Sequence, residues 1–327
     1  MACMRYIIIG AGAVGGAIGG RLHQAGHDVV LVARGEHATA LREKGLRLRT
    51  PDEDVTLRAP VATGPDEVEP RPDDVLLLTV KTQDTVAALD AWAPAAAHLP
   101  LLCVQNGVAN EEIALRRFAR VYGVCVWLPA QYLEPGVITA SAAPLTGMLH
   151  IGRYPQDGTT DDTARAVSAD LESARFLAPV VPDVMRWKYA KLLSNLGNAV
   201  QALCGMDQPD SAELLRRARA EGEAVLAAAG IPFAGEEEQA ELRGDRVNIH
   251  TVPGTERGGG STWQSLRRGT GSVEVDYLNG EIVLLGRHHG VPAPVNEALR
   301  HGTNVLAREG RPPGSTSAAE LLASLPS

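Results

Sequence analysis

Short apolar runs alternate with amphipathic helical stretches through the first half of the chain. Runs of this length, bounded by turn residues, are typical of strands that a parallel sheet buries on both faces. The runs lie at residues 6–9, 29–32, 75–80, 101–104, 121–127 and 176–181. Strands that alternate with helices predict an α/β fold with a parallel sheet. Two further runs, 137–140 and 148–152, are separated by a loop that contains proline and are predicted to pair antiparallel.

Beyond residue 182 the pattern becomes almost entirely helical. The predicted helices are 183–204, 210–229, 235–244, 262–268, 275–289 and 293–309. We therefore predict two domains, an α/β domain at residues 1–181 and an all-α domain at residues 182–327, which suits a chain of 327 residues. The last residues, 310–327, are predicted to be a poorly ordered tail apart from a short helix at 318–323.

A glycine-rich segment joins the first predicted strand to the first predicted helix. The segment is Gly10, Ala11, Gly12, Ala13, Val14 and Gly15, which has G-x-G-x-x-G spacing. Between a strand and a helix, the first glycine permits a tight turn, the second lets a pyrophosphate approach the backbone, and the third lets the helix pack on the strand. The helix N-terminus offers free N–H groups and a positive dipole end to phosphates. The segment therefore predicts a dinucleotide site.

The end of the second predicted strand indicates which dinucleotide is bound. An NAD enzyme usually has a carboxylate there, which binds the ribose 2′-hydroxyl. Here Arg34 follows the strand, and Glu36 is the first carboxylate after it. A planar guanidinium can face a 2′-phosphate, so we predict NADP(H) rather than NAD(H). The alternative is that Arg34 is an ordinary solvated surface residue.

Composition and charge narrow the classes of function. The chain is 45% hydrophobic and carries a formal net charge of −8, which disfavours nucleic acids and anionic membranes as partners. The four cysteines are widely scattered, so we predict neither disulfides nor a cysteine metal site. No pair of histidines has helical ligand spacing with a carboxylate, and no metal is predicted. The chain has neither a signal-peptide pattern nor an apolar run as long as a membrane span, so we expect a cytoplasmic protein.

Three polar residues are predicted to lie on one face of the apolar helix 183–204. Lys191, Asn195 and Asn198 are spaced i, i+4 and i+7. A polar network between helices and a binding site explain such a stripe equally well. In a binding site, a partly desolvated lysine has a lowered pKa and can donate a proton near neutral pH, while amides fix a polar substrate. Glu274 opens a later helix, where the helix dipole alone already favours acidic residues.

Together these segments resemble one family, the ketopantoate reductases (2-dehydropantoate 2-reductases), over nearly the whole chain. The matching pieces, in the family's order and spacing, are Gly10–Gly15, Arg34, Thr79–Lys81, Gln105–Val108, Lys191–Asn195 and Glu274–Gly280. The resemblance implies an N-terminal Rossmann domain that binds NADPH and a helical C-terminal domain that closes over the cleft. Arg34 and Lys81 would hold the 2′-phosphate end of the cofactor, and Asn106 would lie by the nicotinamide and the substrate carbonyl.

The resemblance also implies a reaction, the reduction of 2-dehydropantoate to (R)-pantoate on the way to coenzyme A. Lys191 would be the general acid that protonates the ketone oxygen as hydride reaches the adjacent carbon. Asn195 would bind a hydroxyl or carboxylate of the substrate. Glu274 would hydrogen-bond the substrate and orient the lysine.

The chain departs from the family's pattern around the substrate. The family usually has a second helix asparagine four residues after the first, whereas Asn198 comes one residue early, about 100° around the helix. In the family's Ser-Ser-Met-like segment, the second serine binds the substrate carboxylate. Thr262 takes the place of that serine, and Trp263 takes the place of the methionine. Ser265 and Leu266 stand where the family has an aspartate. We expect Asn198 and Thr262 to contact substrate in an altered pocket.

Two other functions are compatible with these residues. An NADPH-dependent reductase or dehydrogenase of the same superfamily could act on a different 2-keto acid or β-hydroxy acid, and the altered pocket favours this reading. A non-catalytic NADPH-binding sensor is the other, although such a protein has no need of Lys191 and Glu274. The expected partner is a small 2-keto acid, and the chain is expected to be a monomer or a homodimer.

Overall fold

The structure is a computed structural model that describes residues 4–156, 158–205, 208, 210–255, 258–269 and 271–325. In chain order, its strands are β1 (Arg5–Ile9), β2 (Asp28–Val32), β3 (Leu46–Arg49), β4 (Asp54–Leu57), β5 (Val61–Ala62), β6 (Asp74–Leu78), β7 (Leu101–Cys103), β8 (Val121–Trp127), β9 (Ala130–Glu134), β10 (Val137–Ala140), β11 (Ala142–Pro144), β12 (Gly147–Tyr154), β13 (Phe176–Leu177) and β14 (Val247–Ile249).

The α-helices follow the same chain order. They are α1 (Ala13–Gln24), α2 (Gly35–Lys44), α3 (Thr85–Ala96), α4 (Asn110–Leu115), α5 (Asp162–Ser173), α6 (Val184–Asn195), α7 (Gly197–Cys204), α8 (Ser211–Ala228), α9 (Glu236–Arg243), α10 (Ser261–Arg267), α11 (Asn279–His289), α12 (Pro294–Glu309) and α13 (Ala318–Ala323). Within the described ranges, every helix is too short or too polar to cross a membrane.

The chain divides into two compact units whose border lies inside α6. The first unit contains Met1–Lys188 and Gly235–Thr255, and the second contains Tyr189–Ala234 and Glu256–Ser327. The sequence prediction has its border after residue 181 and assigns 235–255 to the helical part. The difference has a physical cause. Strand β14 pairs antiparallel with β11, and Glu238 of α9 accepts two hydrogen bonds from Arg186, at 2.7 and 2.5 Å.

The first unit is built on a sheet in which eight strands of the described chain take part. Their order is β13-β12-β8-β7-β6-β1-β2-β5. Read from β5 to β8, the six parallel strands follow the order 3-2-1-4-5-6 of a doubly wound sheet. The predicted α/β fold with a parallel sheet is confirmed. The strand order reverses between β1 and β6, and such sheets bind ligands beyond the carboxyl ends of the strands at this point.

Both faces of the sheet are covered because successive side chains of a strand point to opposite sides. From β1, Tyr6 and Ile8 pack in the same core as Ile18 of α1. Ile7 and Ile9 pack in the other core, which contains Trp92 of α3. All five residues of β1 are buried, the four of the apolar run as predicted and Arg5 in an ion pair with Asp74.

The predicted antiparallel pairing of 137–140 with 148–152 is wrong. Strand β12 pairs instead with β8 of the large sheet, with His150 opposite Cys125. Strand β10 pairs antiparallel with β9 and parallel with β3, in the four-stranded sheet β4-β3-β10-β9. The sequence pattern missed β9 because its residues are partly exposed and mixed in polarity, so neither a buried run nor a regular alternation marks it.

A stacked pair of rings fills the space where α6 meets the large sheet in the first unit. The rings of His150 and Trp187 are 4.1 Å apart and inclined by 23°. The side chain of His150 is inaccessible to solvent, and this burial lowers its pKa from 6.5 to about 4, because a buried imidazole resists protonation.

The His150 pKa makes the folded protein less stable in acid. The unfolded state takes up the proton near pH 6.5 and the folded state only near pH 4, so stability is complete above pH 6.5 and falls between these values. The slope in this window approaches about 1.4 kcal/mol per pH unit. In chemical denaturation at several pH values, His150→Phe should flatten this slope, because phenylalanine retains the stacking. His98→Phe, which replaces an exposed histidine, is the matched control, and an unchanged slope in His150→Phe would contradict the assignment.

The second unit consists almost entirely of helices in its described residues. The predicted helix 183–204 is found as α6 and α7, and Leu196 between them keeps helical dihedrals of φ −57° and ψ −31°. Helix α8 packs closely on this junction through Gly222. A Cβ added there would come within 2.7 Å of Leu193 and 3.0 Å of Leu196.

The C-terminal segment differs from the predicted poorly ordered tail. The backbone N–H groups of Gly314 and Thr316 donate to the carbonyls of Ala202 and Leu203 in α7, both at 3.0 Å. The short helix α13 covers the predicted residues 318–323 and is capped by the hydroxyl of Ser317. The side chain of Ala318 is fully buried. Backbone bonding to α7 therefore fixes a segment whose polar composition suggested a loose end; residues 326 and 327 lie outside the described residues.

Candidate active site

The glycine-rich segment forms a tight turn at the point where the strand order reverses. The N–H groups of Gly10 and Ala11 donate to the carbonyl of Val32 at the end of β2, at 3.1 and 2.9 Å. Gly10 has φ +103°, and a Cβ there would lie 2.8 Å from the side chain of Val80. Only glycine fits this combination of left-handed backbone and close approach. Helix α1 then begins at Ala13, with neither a side-chain cap nor an acidic residue in its first turn.

The other two glycines of the segment show that it suits a dinucleotide. A Cβ at Gly12 would meet no atom within 4 Å, so the backbone here is open to an approaching group. A Cβ at Gly15 would lie 2.4 Å from the carbonyl of Gly10 and from the hydroxyl of Thr79, so this glycine permits close packing of α1. These properties match the three glycine functions that a pyrophosphate-binding turn requires, and the uncapped N-terminus of α1 suits the negative charge of the phosphates.

Thr79, which the sequence indicated only as part of the segment Thr79–Lys81, supports this turn. Its hydroxyl lies 3.0 Å from the carbonyl of Ile9 and 2.7 Å from that of Gly10. The signal in the sequence is a single polar residue directly after the buried run of β6. Thr79 therefore joins the carboxyl ends of β1 and β6, the two strands between which the strand order reverses.

The predicted cofactor residues of the first unit follow the ends of three parallel strands. Arg34 follows β2, is exposed, and is the N-cap residue of α2, with extended dihedrals. Lys81 follows β6 and Asn106 follows β7, and both are partly buried. Because the carboxyl ends of parallel strands lie along one edge of a sheet, the three residues share the edge that carries the glycine turn.

A buried polar network, which the sequence did not reveal, anchors the backbone around Asn106. The amide nitrogen of Gln105 donates to the carbonyl of Val80 and to the hydroxyl of Thr85, both at 2.8 Å. The side chain of Asn110 in turn accepts from Thr85 at 2.8 Å and donates to the carbonyl of Asn106 at 3.2 Å. The network fixes the loop after β7 relative to the loop after β6.

The predicted substrate residues of the second unit begin on α6 and α7. Lys191 is partly buried, Asn195 is 5% exposed at the last position of α6, and Asn198 is partly buried in α7. Since Leu196 keeps helical dihedrals, the rotation of about 100° per residue continues across the junction. The three side chains therefore stay on one stripe, as their spacing predicts.

The structure brings Asn198 together with the start of α10, where Thr262 lies. A Cβ added to Gly260 would be 2.7 Å from the amide oxygen of Asn198, and the N–H of Gly260 donates to the side chain of Gln201 at 2.6 Å. Thr262 is 1% exposed, two residues further on. The side chain of Trp263 leaves no room for a Cβ at Gly259, because such a Cβ would lie 2.5 Å from Trp263. The residues that depart from the family's pattern thus form one local cluster.

Glu274 lies in a short 3₁₀ helix, Glu274–Tyr277, that precedes α11, and it is 6% exposed. The first residue of α11, Asn279, donates its amide to the carbonyl of Leu196 at 3.3 Å and to Asn296 at 3.0 Å. This contact joins the start of α11, which follows the 3₁₀ helix of Glu274, to Leu196 at the α6–α7 junction. Within the described residues, no group of three histidine, cysteine, aspartate or glutamate side chains could hold a metal ion.

Comparisons with known proteins agree with both halves of this description. The family model "Ketopantoate reductase PanE/ApbA" matches residues 6–156, and the model of the C-terminal part of that family matches residues 183–305. The 2-dehydropantoate 2-reductase of Halobacterium salinarum is 30% identical over 94% of this chain and 100% of its own length. A PanE/ApbA family ketopantoate reductase from Ralstonia eutropha has 29% identity and a TM-score of 0.78, covering 94% of this chain and 99% of its own.

One solved structure extends the likeness in fold beyond proteins of that name. A D-mandelate dehydrogenase, solved with NADH and anilino(oxo)acetate, has a TM-score of 0.79 at 21% identity, over 94% of this chain and 99% of its own. At this identity the likeness concerns the fold alone. The two family models together span most of the sequence, and the curated relative is matched over its full length. The chain is therefore an oxidoreductase that belongs to the ketopantoate reductase family.

Proposed function

We propose that this protein reduces 2-dehydropantoate to (R)-pantoate with NADPH, a step towards coenzyme A. The observation that carries the proposal is the glycine turn that follows β1, at the point where the strand order reverses. In this turn, Gly12 leaves the backbone open to a pyrophosphate. The 2-dehydropantoate 2-reductase of Halobacterium salinarum, which is matched over the whole of its own length, supports the choice of substrate. The proposed cofactor residues belong to the first unit, and Lys191, Asn195 and Glu274 belong to the second.

The cofactor is assigned as NADPH because of Arg34. Arg34 is exposed and follows β2 after Ala33, at the position where an NAD enzyme has a carboxylate for the ribose. Lys81 supplies a second cation at the same edge of the sheet, and the two would bind the 2′-phosphate. When bound, the reduced nicotinamide supplies the hydride that the ketone carbon accepts.

Arg34→Ala should raise the KM for NADPH by about tenfold to a hundredfold, since one or two charge-assisted hydrogen bonds are lost. The KM values for NADH and for the keto acid should change little, because neither carries the 2′-phosphate. Initial rates with both dinucleotides measure this. Arg42→Ala is a matched control, since Arg42 is an exposed arginine of the same helix that pairs with Glu67 at 2.5 Å. An equal effect of Arg34→Ala on NADH and NADPH, or a wild-type preference for NADH, would contradict the assignment.

Lys191 is the proton donor of the proposed reaction. A ketone that accepts hydride develops alkoxide character, and an ammonium next to the oxygen both stabilises that charge and supplies the proton. Asn195 would hold a hydroxyl or carboxylate of the substrate, and its burial restricts the positions that its amide can take. Glu274 would accept a hydrogen bond from the substrate and orient Lys191. Asn106 would lie by the nicotinamide and the reacting carbonyl.

A different 2-keto acid is the second candidate substrate, and the cluster around Gly260 favours it. Asn198, Thr262 and Trp263 all depart from the family's pattern, and the first approaches the start of α10 so closely that a Cβ at Gly260 would not fit. An aromatic side chain in place of methionine changes the volume and shape that a substrate meets.

The deciding experiment is the initial rate of NADPH oxidation with 2-dehydropantoate beside smaller and bulkier 2-keto acids. A clear preference for 2-dehydropantoate supports the first proposal. If the rate with 2-dehydropantoate is negligible and another keto acid is turned over, that keto acid is the substrate and the proposed mechanism still holds. If NADPH binds but no keto acid is reduced, the protein is a non-catalytic sensor and the proposed reaction is wrong.

A further inference from the structure

A buried histidine, His37, joins the glycine turn to the helix that carries Arg34. It lies in the first turn of α2, three residues after Arg34, and is 7% exposed. Its Nε2 lies 2.7 Å from the carbonyl oxygen of Ala11, the middle residue of the Gly10–Gly12 turn. Its Nδ1 accepts a hydrogen bond of 3.0 Å from the N–H of Gly136. The side chain of His37, which extends from α2, thus contacts both the glycine turn and the turn between β9 and β10.

The two partners determine the protonation state of this ring. The N–H of Gly136 can only donate, so Nδ1 must carry a lone pair. The ring proton is then on Nε2, where it is donated to the carbonyl of Ala11, which can only accept. Tyr132 of β9 packs against the ring, with centroids 4.5 Å apart. Both polar atoms of the histidine are therefore used, and its orientation is fixed from three sides.

This hydrogen bond sets the direction of one peptide plane in the turn. The carbonyl of Ala11 is held by His37, and the N–H at the other end of the same peptide, that of Gly12, donates to the carbonyl of Gly10 at 2.7 Å. The next residue, Ala13, begins α1. Since Ala11 is 1% exposed, water offers its carbonyl little replacement if His37 is removed.

We propose that His37 is a positioning residue for the dinucleotide, which holds the glycine turn in the conformation that receives the pyrophosphate. The inference rests on the proposed use of a nicotinamide dinucleotide, and it goes beyond that proposal by assigning a residue that would not touch the cofactor. NADH and NADPH share the pyrophosphate. A loss at His37 should therefore weaken both to the same extent, whereas a loss at Arg34 should weaken NADPH alone.

The test measures the dissociation constants of NADH and NADPH by the change in nucleotide fluorescence on binding. His37→Leu should weaken both by about tenfold, the ratio that corresponds to the loss of one or two hydrogen bonds. His37→Gln should restore most of the affinity, because its amide can accept from Gly136 and donate to Ala11. The KM for the keto acid at saturating NADPH should stay unchanged. His98→Leu is the matched control, an exposed histidine just before β7, at the opposite edge of the sheet.

Circular dichroism and thermal unfolding show whether the leucine variant folds. If it does not, His37→Asn takes its place, since its amide is too short to reach both partners and should weaken both dinucleotides in a folded protein. A wild type that binds neither dinucleotide overturns the proposed function, and the role of His37 falls with it. A wild type that binds, together with a folded His37 variant that binds within twofold of it, overturns the role of His37 alone. Failure of His37→Gln to restore affinity also overturns that role.

Discussion

Lys191→Ala should lower the turnover number by about 10²- to 10⁴-fold, the range typical for the loss of a general acid. The dissociation constant of NADPH should stay within about twofold, because Lys191 belongs to the second unit and the predicted cofactor residues belong to the first. Single-turnover oxidation of NADPH with saturating keto acid measures the chemical step directly. The physical reason is that the developing alkoxide would lose both a stabilising charge and its proton source.

Ser194→Ala controls for general effects of mutating α6. Ser194 is exposed on the same helix, and its hydroxyl is bonded only weakly to the carbonyl of Ala190, at 3.4 Å. The turnover number of Ser194→Ala should equal that of the wild type. Lys191→Met retains most of the side-chain volume and should be as slow as Lys191→Ala. Turnover in Lys191→Met close to that of the wild type would remove this residue from the mechanism.

Asp74→Asn should lower the free energy of unfolding by about 3 kcal/mol, because the buried guanidinium of Arg5 loses the carboxylate with which it is directly paired. The pair joins the first residues of β1 and β6, with two hydrogen bonds of 2.7 Å. The side chains are 8% and 0% exposed. Asp74 also accepts from the backbone N–H of Arg71 at 2.7 Å, so it organises the turn that enters β6. Chemical denaturation with a spectroscopic readout of unfolding measures the loss.

A second arginine–aspartate pair serves as the matched control. Arg47 donates two hydrogen bonds to Asp54, at 2.8 and 2.7 Å, but these side chains are 51% and 41% exposed. Asp54→Asn should lower the free energy of unfolding by only a small fraction of the amount that Asp74→Asn does, since water screens the exposed charges. The double variant Arg5→Met/Asp74→Leu should regain stability, because no charge then remains buried. Equal losses in the two asparagine variants would mean that burial is not the cause.

The glycine turn could be predicted because its signals are local. Gly10, Gly12 and Gly15 lie within six residues, each with a separate steric task, and the strand before them is one unbroken apolar run. The stripe of Lys191 and Asn195 was equally accessible, since helical spacing alone places residues on one face. Their chemical roles stay predictions, as does the role of Arg34.

The features that escaped prediction depend on contacts between distant parts of the chain. His37 reaches Gly136 across 99 residues, and no pattern around either residue indicates this contact. Strand β9 has too little apolar character to be recognised without its partner β10. The acidic residues at the start of α9 predict a helix correctly, but they do not reveal that Glu238 pairs with Arg186 of the first unit.

The return of residues 235–255 to the first unit has a consequence for synthesis on the ribosome. Strands β1 to β8 of the large sheet can pair early, whereas β11, whose partner in the described residues is β14, stays without its pairing until β14 has left the exit tunnel. By then, Tyr189–Ala234 of the other unit has already emerged. Completion of the N-terminal unit is therefore delayed until part of the C-terminal one is available to fold, and a nascent chain that stalls between the two leaves the segment of β11 unpaired.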